Sequence, residues 1–578
     1  MLSPKLAFLG LGAALAACKS PPGGGPVAVD AVPDVVSECP NFCSGDARYV
    51  TDCRSNPIEA CDAESACYAG ACVPACDAAA NEKSSIGCDY YAVPPDVIVA
   101  GRGGCFAAFI ANTWPAPVTI TVERDGVALP LSEFARVPSG QGQSLTYAPL
   151  VNDELPPGEV AILFLSRFGS TLVNCPDGVT PAVVTSDTAV VNTGRGHAFR
   201  IRTSAPTVAY DIFPYGGGSS QATSATLLLP TSAWDVTYVA VTPYPRSTIS
   251  GGAPFAQIAA LHDATTVTVR PIVDIVGGVG VEGAVAGTPV SYTLDAGEYL
   301  QLTQQEELAG SPITADKPVG VWGGASCLNI EVAVAACDTA HQQIPHVQAL
   351  GNRYAGVRYR NRFPDVEETV PWRLIGTTDG TTLTYSPAVP PGAPTTLALG
   401  QVATFTTSEP FVVQSQDADH PFYMAGYMTG AETVRGQTSD FRGDPEFVNV
   451  IAVEQYLRSY TFFTDPTYPE TTLVLTRERA SNGTFADVTI DCVGTVTGWT
   501  SIDAAGTLQF ARVDLVTGNF QSVGGCDNGR HVASSLRPFG LVVWGWGSAA
   551  TTNFSTQAVS YAYPAGASVK QINDVVIY

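Results

Sequence analysis

Beyond Cys88 the chain runs in short alternating or wholly apolar segments separated by turn residues, among them TITVERDG, VAILFLSR, FRIRTS, TTVTVRP, VSYTLDAGEYLQL, TTLTYSP and ATFTTSEP. Alternation puts every second side chain on one face, and short apolar runs bounded by turns read as buried strands. No stretch sustains the period of an amphipathic helix, so the pattern predicts antiparallel β-structure throughout. One beat recurs. A polar turn, a proline and an apolar strand closing toward glycine make up IRTSAPTVAYDIFPYG (201–216), ITADKPVGVWGG (313–324), QSQDADHPFYMAGYMTG (414–430) and ASSLRPFGLVVWGWG (533–547). Their prolines, Pro206, Pro318, Pro421 and Pro538, stand 103–117 residues apart, the spacing of an internal repeat.

Other segments keep the same order around that beat. A strand opens each unit, at DYYAV (89–93), TYVAVTP (237–243), RYAGVRY (353–359) and SYTFFTDP (459–466). A hairpin follows, at CFAAFIANTWPAPVTITV, FAQIAALHDATTVTV, PWRLIGTTDGTTLTY and TTLVLTRERASNGTFADVTI. Then comes a glycine-led strand, at PPGEVAILFL, DAGEYLQLT, ALGQVATFT and AAGTLQFARV. The register predicts an all-β domain over 89–578, made of four tandem antiparallel β repeats of about 110 residues, with units at about 89–220, 221–336, 337–440 and 441–578. Each unit holds about eight short strands, enough for one β-sandwich or two four-stranded propeller blades. The first unit lacks a counterpart of SATLLLP (224–230), and the last is followed by an extra strand, TQAVSYAYPAG (556–566). A tail strand completing the first unit would close a β-propeller-like ring and hide both edges. That ring is the expectation, with a string of β-sandwiches as the alternative.

The N-terminus adds an address. Lys5 precedes an apolar run, Leu6 to Ala17, too short to span a bilayer, as in an export signal. Leu15-Ala16-Ala17-Cys18 resembles the bacterial lipobox, which makes 1–17 a lipoprotein signal peptide and Cys18 the lipidation site. Residues 18–38 continue as a tether rich in Pro, Gly and Ala. Multiple acyl chains hold a membrane stably. The expected location is therefore the bacterial cell envelope, at the outer membrane or cell surface, with membrane contact through lipid.

The chain has 15 cysteines. Setting Cys18 aside leaves an even number in an oxidising compartment, which argues for disulfides. Cys39, Cys43, Cys53, Cys61, Cys67, Cys72, Cys76 and Cys88 crowd into residues 39–88, a cysteine-rich module too small to hold itself by a core. Among the others, Cys327 with Cys337 and Cys492 with Cys526 suit local staples, which leaves Cys105 with Cys175. Sequence alone does not fix that connectivity.

Of the 578 residues, 45% are hydrophobic and 14% charged, a packed rather than disordered composition. The formal net charge of −24 and the lack of a basic stripe exclude a nucleic-acid partner. Chemistry-bearing patterns are sparse. Cys337, His341 and His346 lie in CDTAHQQIPH, read as a disulfide cysteine followed by a loop rather than a metal site. His262-Asp263 and Asp419-His420 fall at turns, with no GxSxG elbow beside them. Arg442-Gly443-Asp444 spells an integrin-type tripeptide by chance composition, and Trp322, Trp544 and Trp546 suit either a binding face or core packing. No catalytic residue, metal ligand or cofactor is singled out.

CDYYAVPPD (88–96), CFAAFIANTWPAPVTITVERDG (105–126) and PPGEVAILFL (156–165) resemble the IgGFc-binding lipoproteins common in myxobacteria. CDTAHQQIPHVQALGNRYAGV (337–357) also resembles that family's pattern, at Cys337, Asp338, Gln343, Pro345, Gly351 and Tyr354, but Thr339 and His346 stand where the family has histidine and a second proline. The resemblance spans about 89–578 and implies a surface or matrix protein related to the N-terminal region of the animal mucus IgG-Fc-binding protein. The expected function is a lipid-anchored, non-enzymatic surface binding protein for a protein or glycan ligand. The alternatives are an extracellular polysaccharide hydrolase with a carboxylate pair in a propeller funnel, and a structural matrix component that self-associates.

Overall fold

The computed structural model describes residues 40–578 except 45–46, 55, 170–172, 217–221, 437–439, 550 and 552–555. The expected leader, Cys18, the tether and Cys39 lie outside the described residues. Strand accounts for 47% of the chain and helix for 6%, so the fold is all-β.

Each proline beat is a long strand, or a strand pair, that passes from one sheet to another. In the first unit it is β1, Phe199–Phe213, whose start pairs with Val118–Arg124 and whose end pairs with Phe106–Asn112. Pro206 lies in the gap between the two ladders, where a residue without N–H costs no ladder bond. A fourth strand, β2 (Ser224–Leu228), pairs with the far end of β1. The second unit repeats this with β3 (Pro312–Leu328) and β4 (Asp338–Ile344). The third splits the long strand into β5 (Phe411–Ser415) and β6 (Phe422–Met428), with Pro421 just before β6, and adds β7 (Glu446–Asn449). The fourth uses β8 (Gly529–Trp546) and β9 (Ser560–Pro564).

Side-chain pattern tracks position. Val118, Ile120 and Val122 are buried while Thr119 and Thr121 are exposed, as in a strand with one wet face. Phe106–Asn112 and Val160–Ser166 are buried along their whole length because each runs through the middle of a covered sheet.

Two sequence expectations change here. SATLLLP does not open the second unit; Ser224–Leu228 is the last strand of the first unit's sheet, and β4 and β7 likewise close the second and third units, which moves the expected boundaries at 220, 336 and 440 beyond those strands. Nor does the tail strand complete the first unit; β9 pairs with β8 of the last. Every unit thus supplies its own fourth strand. Segment order could not reveal this, because a strand preceding one beat and a strand following the previous beat occupy the same place in sequence.

The four fourth strands bond to one another through side chains. His341 N donates to Ser224 Oγ (3.1 Å) and Gln343 N to Thr226 Oγ1 (2.8 Å). Asn449 Nδ2 donates to Gln343 O (2.8 Å), Ser560 Oγ to Asp444 O (2.6 Å), and Thr223 Oγ1 to Ser560 O (2.6 Å). The first and last units share one hydrophobic core, with Phe109 against Phe463 and Tyr210 against Tyr563, at centroid distances of 4.9 and 4.5 Å.

Before the repeats, residues 40–88 form two small sheets and a helix, α1 (Ala75–Glu82), which the sequence did not foreshadow because eight alanine-rich residues carry too little periodicity. Trp114 anchors this module to the first unit, its Nε1 donating to Ala63 O at 2.6 Å under the Arg48 guanidinium. Disulfides join Cys43–Cys67, Cys61–Cys72, Cys76–Cys88, Cys105–Cys175, Cys327–Cys337 and Cys492–Cys526, and Cys53 is disulfide-bonded as well.

Candidate functional site

Ser224, Asp338, Glu446 and Ser560 are the first residues of β2, β4, β7 and β9, and all four are buried. Asp338 accepts from Thr223 N (3.1 Å) and from Ser560 N and Oγ (3.2 Å each). Glu446 accepts from Phe447 N (2.8 Å) and Ser224 Oγ (3.2 Å). Gln342 donates through Nε2 to Ala225 O (2.8 Å) and Ala562 O (3.0 Å), on two different strands. Burial raises the pKa of the Asp338, Asp444 and Glu446 carboxyls, because an enclosed site disfavours the charged form. A hydrolase reading needs a pair of acids that a sugar chain can reach. These acids are closed off from solvent.

The histidines disperse. His341 lies on β4, a strand rather than the loop its polar sequence suggested, with Nε2 2.8 Å from Gln257 Oε1 and its ring stacked on Trp322. His346 Nε2 faces Val569 O at 3.3 Å, and Cys337 is oxidised, so the three do not form a metal centre. His262 is exposed at a turn, and His420 pairs with Asp417 at 2.6 Å rather than with Asp419. Asp491, Cys492 and His531 do converge, a grouping the sequence did not signal, but Cys492 is bonded to Cys526 and offers no thiolate. Asp444 is 1% exposed, so Arg442-Gly443-Asp444 is not displayed. Trp322, Trp544 and Trp546 are buried core residues.

What the surface does offer is a groove of about 590 Å³ between the first and second units. One wall is the turn Val99–Gly101, which follows the strand Ile86–Ala92. The opposite wall is a Val- and Gly-rich insert between the strands Thr265–Val269 and Val290–Leu294, folded on itself through the bridges Ile275–Ala284 and Gly278–Val281. Val99 and Val276 stand 75% and 63% exposed on the two lips. At the floor, Asp96 is buried and accepts through Oδ2 from Asn192 N (3.0 Å) and Thr303 Oγ1 (3.1 Å); burial raises its pKa. The guanidiniums of Arg102 and Arg246 line the groove and make no hydrogen bond or ion pair with any described residue, and Arg102 Nε is buried without a partner. The sequence singled out none of these residues. Its one hint was the apolar, glycine-rich run VDIVGGVGVEGAVAG, which lacks the alternation of its neighbours.

The protein is an all-β repeat array, stapled by disulfides, with an open groove between its first and second units. Residues 224–545 match the model of the IgGFc binding protein family, and the chain belongs to that family. The match begins at β2 and ends within β8. No curated protein matches the chain.

Proposed function

We propose that this is a non-enzymatic binding protein held at the bacterial cell surface by lipid on Cys18, which recognises a protein or glycan through the repeat domain. The family match carries the reading, since the family is one of binding domains. A signal peptide over 1–17 and a tether over 18–38 would raise the module at 39–88 and the repeats clear of an outer membrane. We propose further that the repeats close into a ring. Support comes from the side-chain bonds linking β2, β4, β7 and β9, and from the core shared by the first and last units. The test passes the full chain over immobilised Fc and over envelope and matrix polymers of the producing cell. Capture by the producer's own polymers, lost on reducing the disulfides, is expected; failure to bind either material counts against the reading. A Cys18→Ser chain should fail to incorporate a fatty-acid label.

A further inference from the structure

Resting on that reading, we infer that the groove between the first and second units is the ligand site and that it recognises the carboxylate of an acidic, uronate-type sugar. The groove presents donors and no free acid. The guanidiniums of Arg102 and Arg246 make no hydrogen bond or ion pair with described residues, that of Arg102 acting on the buried Asp96 carboxyl only through its field, and the side-chain amides of Asn192 and Gln305, also in the lining, make no hydrogen bond with described residues. Asp96, the one carboxyl in the lining, is occupied by Asn192 and Thr303. Two buried arginines elsewhere are neutralised: Arg358, which lines another cavity, pairs with Glu367, and Arg373 pairs with Glu307. Unpaired guanidiniums beside apolar lips fit an anionic group with an aliphatic or ring edge next to it, and planar guanidinium suits carboxylate geometry.

The floor is preorganised. Asp96 holds Thr303, whose Oγ1 also accepts from Gln301 Nε2 (3.2 Å). Gln257 Nε2 donates to Gln301 Oε1 (2.8 Å), and His341 meets Gln257 Oε1 (2.8 Å), so a buried chain of polar groups ties the groove to β4. A site fixed before its ligand arrives loses less to ordering.

A sugar fits better than an acidic peptide. The lining is mostly turns and loops, and its strand residues Thr303 and Ser326 belong to strands paired on both sides, which leaves a peptide no open edge there to extend. No aromatic ring lines the groove, so a neutral pyranose has no face to stack on and charge must carry recognition. The net charge of −24 repels a long polyanion, but screening within about 8 Å at physiological salt leaves the local arginines to govern a short ligand.

The test titrates the full chain with trigalacturonate, its methyl ester and triglutamate. The wild-type chain should bind trigalacturonate, more weakly as salt is added, and not the ester. Arg246→Gln, at an exposed position that folding does not need, should weaken binding about tenfold, and Arg102→Gln added to it about tenfold again. Unchanged binding in the variants, equal binding of the ester, tighter binding of triglutamate, or no binding of trigalacturonate by the wild type each overturns the inference. Capture by the producer's polymers decides the broader reading separately, because it does not depend on which surface binds.

Discussion

Asp465 is wholly enclosed, its Oδ1 accepting from Thr467 N (2.8 Å) and Oγ1 (2.7 Å), and burial raises its pKa to about 6. A carboxyl whose folded pKa lies above its unfolded value contributes stability that is full below the unfolded pKa, near 4, and is lost as pH rises through about 6. For Asp465 alone that is on the order of 3 kcal/mol. Asp338, Asp444 and Glu446 are shifted the same way by burial, so their contributions also fall as pH rises. Asp491 and Asp503 are shifted down by their hydrogen-bond donors and, for Asp491, by His531; their share disappears only as pH falls below about 4. The unfolding temperature should therefore peak in mild acid and decline toward neutrality, with Asp465→Asn flattening the decline between about pH 4 and 6. A wild-type midpoint that rises from mild acid to neutral pH contradicts this. Gly323 makes a second case. A Cβ there would sit 2.0 Å from Val241 O on a neighbouring loop, so Gly323→Ala should cost at least about 1–3 kcal/mol in denaturant unfolding. The glycine pair closing the beat was readable as a pattern. Its cause, a backbone arriving from outside the strand, was not. The same holds for Arg102 and Arg246: an unpaired guanidinium is a fact about distant neighbours, and nothing in the flanking sequence records it.

At the level of elements, proline was the legible signal. Pro206, Pro318, Pro421 and Pro538 gave the period, and in the structure they mark where a strand leaves one ladder for the next. Sheet membership was not legible, because β2 and β9 follow their long strands through connections that look like unit boundaries. Innermost strands such as Asp338–Ile344 were hidden for another reason: their polar side chains face other strands rather than water, so the usual alternation is absent. Disulfides act on this scale too. Cys105–Cys175 closes a separation of 70 residues and Cys327–Cys337 one of 10. On the chain-entropy relation, removing the first by paired alanine substitution should cost about 4 kcal/mol and removing the second about 3. Urea midpoints of the two double variants should fall in that order; the reverse order would mean that native packing, not loop length, sets the contribution.

For the whole molecule, the distinction between a closed ring and a row of sandwiches rests on what the tail does. β9 extends the last unit's sheet, yet Ser560 N bonds Asp338 Oδ2 (3.2 Å) in the second unit, and Thr223 Oγ1 of the first unit donates to Ser560 O (2.6 Å). Beyond it, Ser85 N donates to Ala567 O (2.8 Å) and Val569 N to Lys83 O (2.7 Å), which fastens the tail to the segment joining α1 to the first unit. In a row of sandwiches, a cut before β9 would expose only the edge of β8. In a ring it would strip partners from Thr223, Asp338 and Asp444 together, leaving buried polar groups unsatisfied in three units at once. Deleting residues 556–578 is therefore expected to abolish slow amide exchange not only in Gly529–Trp546 but also in Ser224–Leu228 and Glu446–Asn449. Protection that survives in those two strands after the deletion would favour independent sandwiches, because their stability would then owe nothing to a strand more than a hundred residues away.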